Sequence, residues 1–178
     1  MSHYHPLQVA LHWLSAVLVI IAWVIGAVVF ERIPTTETAQ KIFALRGHML
    51  MGFAIAFVIA LRLALRFALE QPSRATSGNV LLDRLAPIVH YALYVAVFGM
   101  AASGLALAVQ AGLPAILFGG SGAPLPTSFS EFAPRAVHGV IGTILISLVA
   151  LHGAAALTHQ FVRGDGLLRR MWFGSRAG

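Results

Sequence analysis

Four long apolar stretches, separated by shorter polar segments, make up most of the 178-residue chain. They cover residues 7–30, 46–69, 82–110 and 134–161. A helix needs about 20 apolar residues to cross the hydrocarbon core of a bilayer, and each stretch reaches that length. The runs are continuous rather than alternating, which argues against a closed β-barrel. The pattern therefore predicts an all-α integral membrane protein, a four-transmembrane-helix bundle forming a single domain over residues 1–178.

Polar segments and helix-start signals outline the connections between the stretches. Residues 31–41 and 70–79 are polar, whereas residues 110–132 are rich in glycine and proline and carry a short apolar patch expected at the membrane interface. Pro134 is predicted at the first helical position of the fourth span, where a backbone N–H is not needed. Asp83 is predicted to cap the third span. No soluble domain is predicted beside the bundle.

The composition narrows the possible functions. Hydrophobic residues make up 58% of the chain and charged residues 10%, well under the roughly 25% of soluble domains. The net charge is +6, but no basic face interleaves with aromatic residues, so no nucleic acid partner is predicted. The absence of cysteine excludes disulfides, thiolate-bound iron–sulfur clusters and haem attached through thioethers. No Lys or Arg precedes the first apolar run, so it is expected to be retained rather than cleaved as a signal peptide.

The basic residues are distributed unequally between the two ends of the predicted bundle. Eight lie on the side of both chain termini: Arg62, Arg66, Arg74, Arg84, Arg163, Arg169, Arg170 and Arg176. Four lie on the other side: Arg32, Lys41, Arg46 and Arg135. Because Lys and Arg accumulate in cytoplasmic loops, the asymmetry predicts that both termini are cytoplasmic.

Six histidines stand near the ends of the spans, at two depths. On the predicted cytoplasmic side these are His12, His90, His152 and His159, and on the outer side His48 and His138. A single histidine near a membrane interface is more often a hydrated ring than a ligand. Several ionisable rings at matched depths within membrane segments are costly, however, and they point to a function.

Helix geometry relates His138 to His152 in the fourth span. They are fourteen residues apart, so they face within about 40° of one another at a separation of about 21 Å. Each can meet a histidine of another helix at its own depth, His48 at the outer level and His12 at the inner level. Neutral imidazole binds iron well, and haem is apolar enough to lie between helices. The two pairs predict two six-coordinate haem b groups, whereas a zinc site would need its ligands at one depth.

Small residues follow these four histidines one helical turn later. They are Ala16, Gly52, Gly142 and Ala156. A flat porphyrin lying against a helix needs clearance at this position, and larger side chains follow the other two histidines. Small residues also serve helix packing in lipid, which is the alternative interpretation.

Four segments of the chain occur in an order typical of one group of membrane proteins. They are LHWLSAVLVIIAWVIG, RGHMLMGFAIAFVIALRLALR, HYALYVAVFGMAASG and RAVHGVIGTILISLVALHGAAALTHQFVRGDGLLRRM. Together they resemble the bacterial cytochrome b561 family, and the resemblance covers nearly the whole chain. The family consists of small four-helix membrane cytochromes with two haem b groups. It is related to the cytochrome b subunits of membrane hydrogenases and formate dehydrogenases.

The resemblance implies a set of haem ligands and an activity. His12 and His152 would ligate the iron of the cytoplasmic haem, and His48 and His138 that of the periplasmic haem. The implied activity is electron transfer with ubiquinone in the bacterial inner membrane, including oxidation of superoxide at the periplasmic face and reduction of ubiquinone. One position departs from the family: a double histidine in its terminal segment reads His159-Gln160 here, which puts any role of the second ring in doubt.

Two arginines precede the outer-side histidines. Arg46 and Arg135 lie two and three residues before His48 and His138, respectively. Because a guanidinium group matches a carboxylate, both are candidates for pairing with haem propionates, and their charge would attract superoxide. Ordinary anchoring at the interface is the alternative.

Three residues on the cytoplasmic side are candidates for a quinone site: His90, His159 and Arg74. A histidine can hydrogen-bond a quinone carbonyl and supply a proton, whereas hydrated interfacial rings are the alternative. Arg62 and Arg66 are expected to extend to the inner surface along their apolar stems. Asp165 is expected to belong to a solvated tail.

Three functions are compatible with these features. The leading one is a stand-alone dihaem cytochrome that exchanges electrons with quinone, in contact with lipid and with superoxide or a periplasmic redox partner. The second is a cytochrome b anchor subunit of a hydrogenase or dehydrogenase complex, although the chain has little surface outside the membrane to bind a large partner. The third is a histidine-based metal transporter, but neither inverted repeats nor broken helices are evident.

Overall fold

The structure, a computed structural model, describes residues 4–34, 36–73 and 78–173, and the regular structure in these ranges is entirely helical. Four helices are long and apolar enough to cross a membrane: Pro6–Val29, Thr38–Ala68, Val80–Gln110 and Ala133–Arg163. The prediction of an all-α bundle with four transmembrane helices is confirmed.

The helices are numbered in chain order. They are α1 (Pro6–Val24), α2 (Phe30–Arg32), α3 (Thr38–Ala68), α4 (Val80–Gln110), α5 (Leu113–Leu117) and α6 (Ala133–Leu157). Two π-helical segments, Ile25–Val29 and Thr158–Arg163, extend α1 and α6, and a 3-10 helix follows at Leu167–Met171.

The two ends of the bundle carry different connections. One end, called the terminal end, holds the start of α1 and the chain after α6, where the backbone N–H of Tyr4 donates to the Arg170 carbonyl. The opposite end, called the distal end, holds α2, α5 and the long connection before α6. There the aromatic rings of Phe30 and Phe129 are in edge contact, 6.0 Å between centroids.

The helix boundaries differ from the prediction at two places. α3 begins at Thr38, eight residues before the predicted start, so Arg46 lies within the helix rather than at its first turn. α4 begins at Val80 and is capped by Asn79, whose side chain accepts hydrogen bonds from two backbone N–H groups. The prediction that Asp83 caps this helix is wrong, because Asn79 precedes it by one helical turn. Pro134 lies in the first turn of α6, as predicted.

The core of the bundle lies between the four long helices. Its buried residues are Val19, Ala22, Ile55, Ile59, Ala96, Val97 and Leu145. Large apolar side chains such as Phe57, Phe67 and Val95 are exposed on the outside of the bundle. Apolar side chains are expected on the outside of a bundle in lipid, because the surrounding hydrocarbon, unlike water, does not favour their burial.

A second, smaller core lies at the distal end. Helix α5 places Leu113 and Leu117 against Ala108 and Ala111, and Leu117 has no exposed surface. The apolar patch of the long connection therefore packs against the protein. It closes the distal end of the bundle.

Candidate functional site

The structure brings the four candidate haem ligands together as two pairs. The ring centroids of His12 and His152 are 6.1 Å apart, with an angle of 68° between the ring planes. Those of His48 and His138 are 6.2 Å apart, at 75°. We call His12 and His152 the terminal pair, and His48 and His138 the distal pair. The contacts agree with the matching of histidines by depth, and the role of these residues as haem ligands stays a prediction.

The packing of the helices separates the elements that carry each pair. α6 packs chiefly on α4, and α1 packs chiefly on α3, whereas α1 and α6 touch only lightly. The terminal pair bridges α1 and α6, and the distal pair bridges α3 and α6. Each pair therefore lies between helices that are not principal packing partners, which is where a flat group can lie between backbones.

Ser103 orients one ring of the distal pair. Its hydroxyl donates to the Gly99 carbonyl over 2.7 Å and lies 3.0 Å from Nδ1 of His138. A hydroxyl has a single hydrogen, so with that hydrogen on the Gly99 carbonyl, Ser103 can accept from the Nδ1–H tautomer of His138. The lone pair of this ring is then on Nε2, and this tautomer is the one that a metal-ligating histidine adopts when its second nitrogen is hydrogen-bonded.

Two glycines make room for the distal pair. A Cβ added at Gly26 would lie 2.9 Å from Cε1 of His48, and one at Gly104 would lie 3.1 Å from Cε1 of His138. Gly26 belongs to the π-helical segment after α1, and such segments are frequent at functional sites. Nδ1 of His48 is buried without a well-formed hydrogen bond, although the Ala22 carbonyl interacts with the ring. The ring is thus held by shape rather than by a strong hydrogen bond.

A cation lies beside the terminal pair. The Arg62 guanidinium donates to the hydroxyl of Ser15 and lies within hydrogen-bond distance of Nδ1 of His12, both at 2.9 Å. Ser15 is buried and donates to the His12 carbonyl over 2.8 Å. The expectation that Arg62 extends to the membrane surface is therefore wrong, because polar partners on α1 draw its guanidinium into the bundle. Arg66 instead stacks on Tyr91, with 5.6 Å from Cζ to the ring centroid.

A third histidine contacts the terminal pair. The rings of His90 and His152 are 5.1 Å apart between centroids, closer than His12 and His152. The edge of Trp13 also contacts His12, at 5.3 Å between centroids. The sequence placed His90 at this depth but did not indicate contact with His152.

The spacing of both pairs fits the axial ligation of haem b; at His12, where Arg62 can only donate to Nδ1, iron binding through Nε2 requires Arg62 to release that nitrogen. Metal–imidazole bonds are about 2.0–2.1 Å long, so centroid separations of 6.1 and 6.2 Å leave space for one metal ion between two rings. Within the described ranges no three His, Cys, Asp or Glu side chains are grouped as a metal site. The available donor sets are therefore pairs of imidazoles, which are suitable axial ligands for haem iron.

The small residues predicted to give clearance differ in their surroundings. A Cβ at Gly52 would meet no atom within 4 Å, so this side of α3 is open. Gly142 instead faces the Met100 side chain, 3.5 Å from a Cβ built there. Clearance around the distal rings therefore comes also from Gly26 and Gly104, which lie on other helices than the rings they face.

The two candidate propionate residues lie at the distal end. Nε of Arg46 donates to the Leu117 carbonyl, which attaches α3 to α5. A terminal nitrogen of Arg135 lies over Gly139, 3.2 Å from a Cβ built there. Arg135 also lines a groove of about 410 Å³ together with Ser130, Ala136, Gly139, Val140 and Thr143. Arg46 therefore has a structural role in the loop, and the pairing of either arginine with a propionate stays a prediction.

His159, one of the quinone candidates, is held by a carboxylate. Its Nδ1 is 2.5 Å from Oδ2 of Asp165, and the exposed fractions of the two side chains are 18% and 36%. The hydrogen bond with His159 lowers the pKa of Asp165 below its usual range. Asp165 is partly exposed, as expected for a solvated tail, but the chain turns back and returns the carboxylate to the ring. Arg74, the third quinone candidate, lies outside the described residues.

The segment after α6 is attached to the terminal end. Nε1 of Trp13 donates to the Met171 carbonyl over 2.7 Å. The Arg170 guanidinium donates to the Ser73 carbonyl over 2.6 Å, and Trp13 contacts Trp172 at 5.5 Å between centroids. The segment therefore forms a cover beside the terminal pair.

Three polar residues of the site were not identified from the sequence. Arg62 and Ser103 stand within apolar runs, where a polar side chain is costly, and this signal could have marked both. Asp165 lies six residues after His159, a spacing that does not correspond to neighbours on an α-helix. Its contact depends on the π-helical segment and the glycines around it.

The fold and the four paired imidazoles define a membrane cytochrome b. The family model described as prokaryotic cytochrome b561 matches residues 3–174, and the chain belongs to this family. The chain is 25% identical to a probable superoxide oxidase, CybB, from Yersinia pestis, over 94% of both chains. It is 26% identical to cytochrome b561 homolog 2 from Escherichia coli (strain K12), over 96% of this chain and 91% of that one. Membership implies haem b binding, and four spans in a bacterial family fit a multi-pass protein of the inner membrane.

Proposed function

We propose that the protein is a dihaem b electron-transfer protein that oxidises superoxide at the periplasmic face and reduces ubiquinone at the cytoplasmic face. The observation that carries this proposal is the presence of two imidazole pairs at opposite ends of one bundle. Haem b, when bound, supplies a one-electron couple at each pair. A relative described as a probable superoxide oxidase supports superoxide as the electron donor.

The histidines of each pair bind and orient the cofactor from two helices. At the distal pair, Ser103 would hold the Nδ1 proton of His138 and leave Nε2 available to the haem iron. At the terminal pair, Ser15 accepts a hydrogen bond from Arg62 and so holds the guanidinium beside the ring of His12.

The two faces are assigned from charge and chemistry. The excess of Arg at the terminal end supports a cytoplasmic location for that end. The distal end then faces the periplasm, where Arg46 and Arg135 supply positive charge that attracts superoxide. His90 and His159 lie at the terminal end, where a quinone would find hydrogen-bond donors and a proton source.

The visible spectrum of the purified protein tests the cofactor content. Protein isolated from membranes in mild detergent should show the sharp reduced bands of low-spin haem b, with two haems per chain extractable by acidic solvent. A single haem per chain would contradict the two-pair scheme, and a colourless protein would favour a transporter.

Steady-state kinetics on the purified chain separate a stand-alone enzyme from an anchor subunit. The chain alone should reduce ubiquinone when superoxide is supplied, with two superoxide oxidised to oxygen for each ubiquinone that takes up two electrons and two protons. An intact dihaem chain that reacts with neither substrate would instead indicate a subunit that receives electrons from a protein partner.

A further inference from the structure

His159 and Asp165, two titratable side chains outside the two histidine pairs, are in direct contact. Oδ2 of Asp165 lies 2.5 Å from Nδ1 of His159, and Oδ1 accepts the backbone N–H of Leu167 over 3.1 Å. Both carboxylate oxygens are therefore engaged. The backbone N–H of Leu167 fixes the orientation of the carboxylate through Oδ1. The carboxylate in turn fixes the orientation of the His159 imidazole through Oδ2.

The local backbone brings the two residues together. The π-helical segment Thr158–Arg163 carries His159, and the chain then turns through Gly164 and Gly166, with φ of 64° and 69°. These positive φ values favour glycine, because a Cβ would be strained there. The hydrogen bond from Trp13 to the Met171 carbonyl holds the following segment against α1.

The carboxylate determines which nitrogen of His159 carries the proton. An ionised carboxylate only accepts hydrogen bonds, so the proton of the neutral ring is on Nδ1. The charged groups that act on Asp165 are His159 and Arg163, and both lower the pKa of Asp165. Asp165 is therefore ionised at neutral pH, and Nε2 is the nitrogen of His159 that can exchange a proton with another molecule.

We propose that Asp165 is a positioning residue that keeps a proton on Nδ1 of His159 and makes Nε2 the atom that exchanges protons with a quinone. The inference rests on the proposed quinone function and assigns a role to a residue outside it. Oε1 of Gln160, the next residue along the chain, is buried without a hydrogen-bond partner.

Reduction of one quinone to quinol takes up two protons and two electrons. The electrons arrive from the terminal end of the bundle. The doubly protonated ring of His159 gives its Nε2 proton to a quinone oxygen, and Nε2 then takes a proton from cytoplasmic water before the second transfer. The Nδ1 proton stays with Asp165 throughout, so the ring returns to its starting state after each transfer.

Asp165→Asn and His159→Leu in the intact haem-containing protein test this inference. Asn retains the shape of Asp but offers an amide N–H to Nδ1, which favours the opposite tautomer. We expect the electron exchange with ubiquinol in stopped-flow measurements to slow at least about tenfold in both variants. Haem spectra should remain those of the wild type.

Two control variants and a second measurement separate positioning from structural effects. Thr158→Ala removes a hydroxyl in the same π-helical segment, one that donates to the Ala154 carbonyl. Glu70→Gln removes a negative charge from the terminal end of the bundle, where α3 has ended. Both should exchange electrons at the wild-type rate. The ¹⁵N resonances of the His159 ring in the reduced protein should show a proton on Nδ1 in the wild type and on Nε2 in Asp165→Asn.

The outcomes distinguish the inference from the function on which it rests. A slow His159→Leu variant with a wild-type Asp165→Asn variant would overturn the role of Asp165 and leave the quinone site at His159. Wild-type rates in His159→Leu would show that the quinone does not react at His159. That result would overturn both the role of Asp165 and the quinone site at His159. An unchanged tautomer in Asp165→Asn, or equal slowing in the two control variants, would also overturn the inference.

Discussion

The distal and terminal pairs contain the same two imidazoles but lie in different polar surroundings. The distal pair is enclosed by glycines and by the neutral Ser103, so shape and one hydroxyl position its rings. The terminal pair lies beside the Arg62 cation and in contact with a third ring, that of His90. Identical ligands in one bundle therefore have different surroundings: shape positions the rings of the distal pair, and a nearby charge acts on the terminal pair.

Removal of one ring from each pair should have the largest effect. His138→Ala should lose the distal haem and keep the terminal one, and His152→Ala should do the reverse, because the two rings are about 21 Å apart along α6. Haem content and reduced spectra of the purified variants measure this. The sharpest control is His90→Ala, because His90 is in contact with His152. Loss of the terminal haem in this control, with retention in His12→Ala, would exchange the roles of His90 and His12.

Addition of a methyl group should damage only the distal pair. Gly26→Ala and Gly104→Ala place a Cβ at 2.9 and 3.1 Å from a ring carbon of His48 and His138, and overpacking of this kind costs about 1–3 kcal/mol. We expect lower distal haem content with the terminal haem retained. Gly47→Ala is the matched control, because its Cβ meets nothing within 4 Å. Equal loss of both haems would show that the glycines serve the whole bundle rather than the distal site.

Removal of the Arg62 charge should affect only the terminal pair. A nearby cation stabilises the state with one more electron, so Arg62→Gln should lower the midpoint potential of the terminal haem. A tenfold change in the one-electron equilibrium corresponds to about 59 mV, which potentiometric titration resolves. Arg62→Lys should retain most of the potential, and Arg66→Gln, which removes the cation that stacks on Tyr91 rather than the one beside His12, should shift it less than Arg62→Gln does. An equal shift in both haems would contradict the local effect.

The smallest expected effect concerns the pH dependence of stability at the terminal end. The hydrogen bond with His159 lowers the pKa of Asp165 below its ordinary value of 3.8. A lowered folded-state pKa means that the contact stabilises the protein above this value and loses its contribution as the pH falls through the folded-state pKa. Thermal unfolding between about pH 7 and about pH 3 should therefore show a loss in the wild type that is smaller in Asp165→Asn. Identical profiles would mean that the contact does not stabilise the fold.

Much of the fold could be predicted, because the length and hydropathy of a spanning helix are local properties. The predicted spans agree with the observed helices to within three residues at every boundary except the start of α3. The hydropathy pattern does not predict that start because residues 38–45 include polar side chains. A helix can continue past the apolar stretch that crosses the membrane, so hydropathy alone does not mark its first residue. The sequence predicts Asp83 as the cap where the structure has Asn79, because a sequence pattern resolves a helix boundary only to about 2–4 residues.

The sequence by itself determined the membrane class, the four spans and the pairing of histidines by depth, since each depends on the number of residues along a helix. Only the tertiary structure decided which neighbours complete each pair. Arg62 on α3 contacts His12 on α1, although its position near the end of the span favours the membrane surface. Ser103 contacts His138 across the interface between α4 and α6. Asp165 meets His159 because two glycines turn the chain back. Such contacts depend on the rotation and crossing of helices, which hydropathy does not encode, because lipid accepts any apolar face equally.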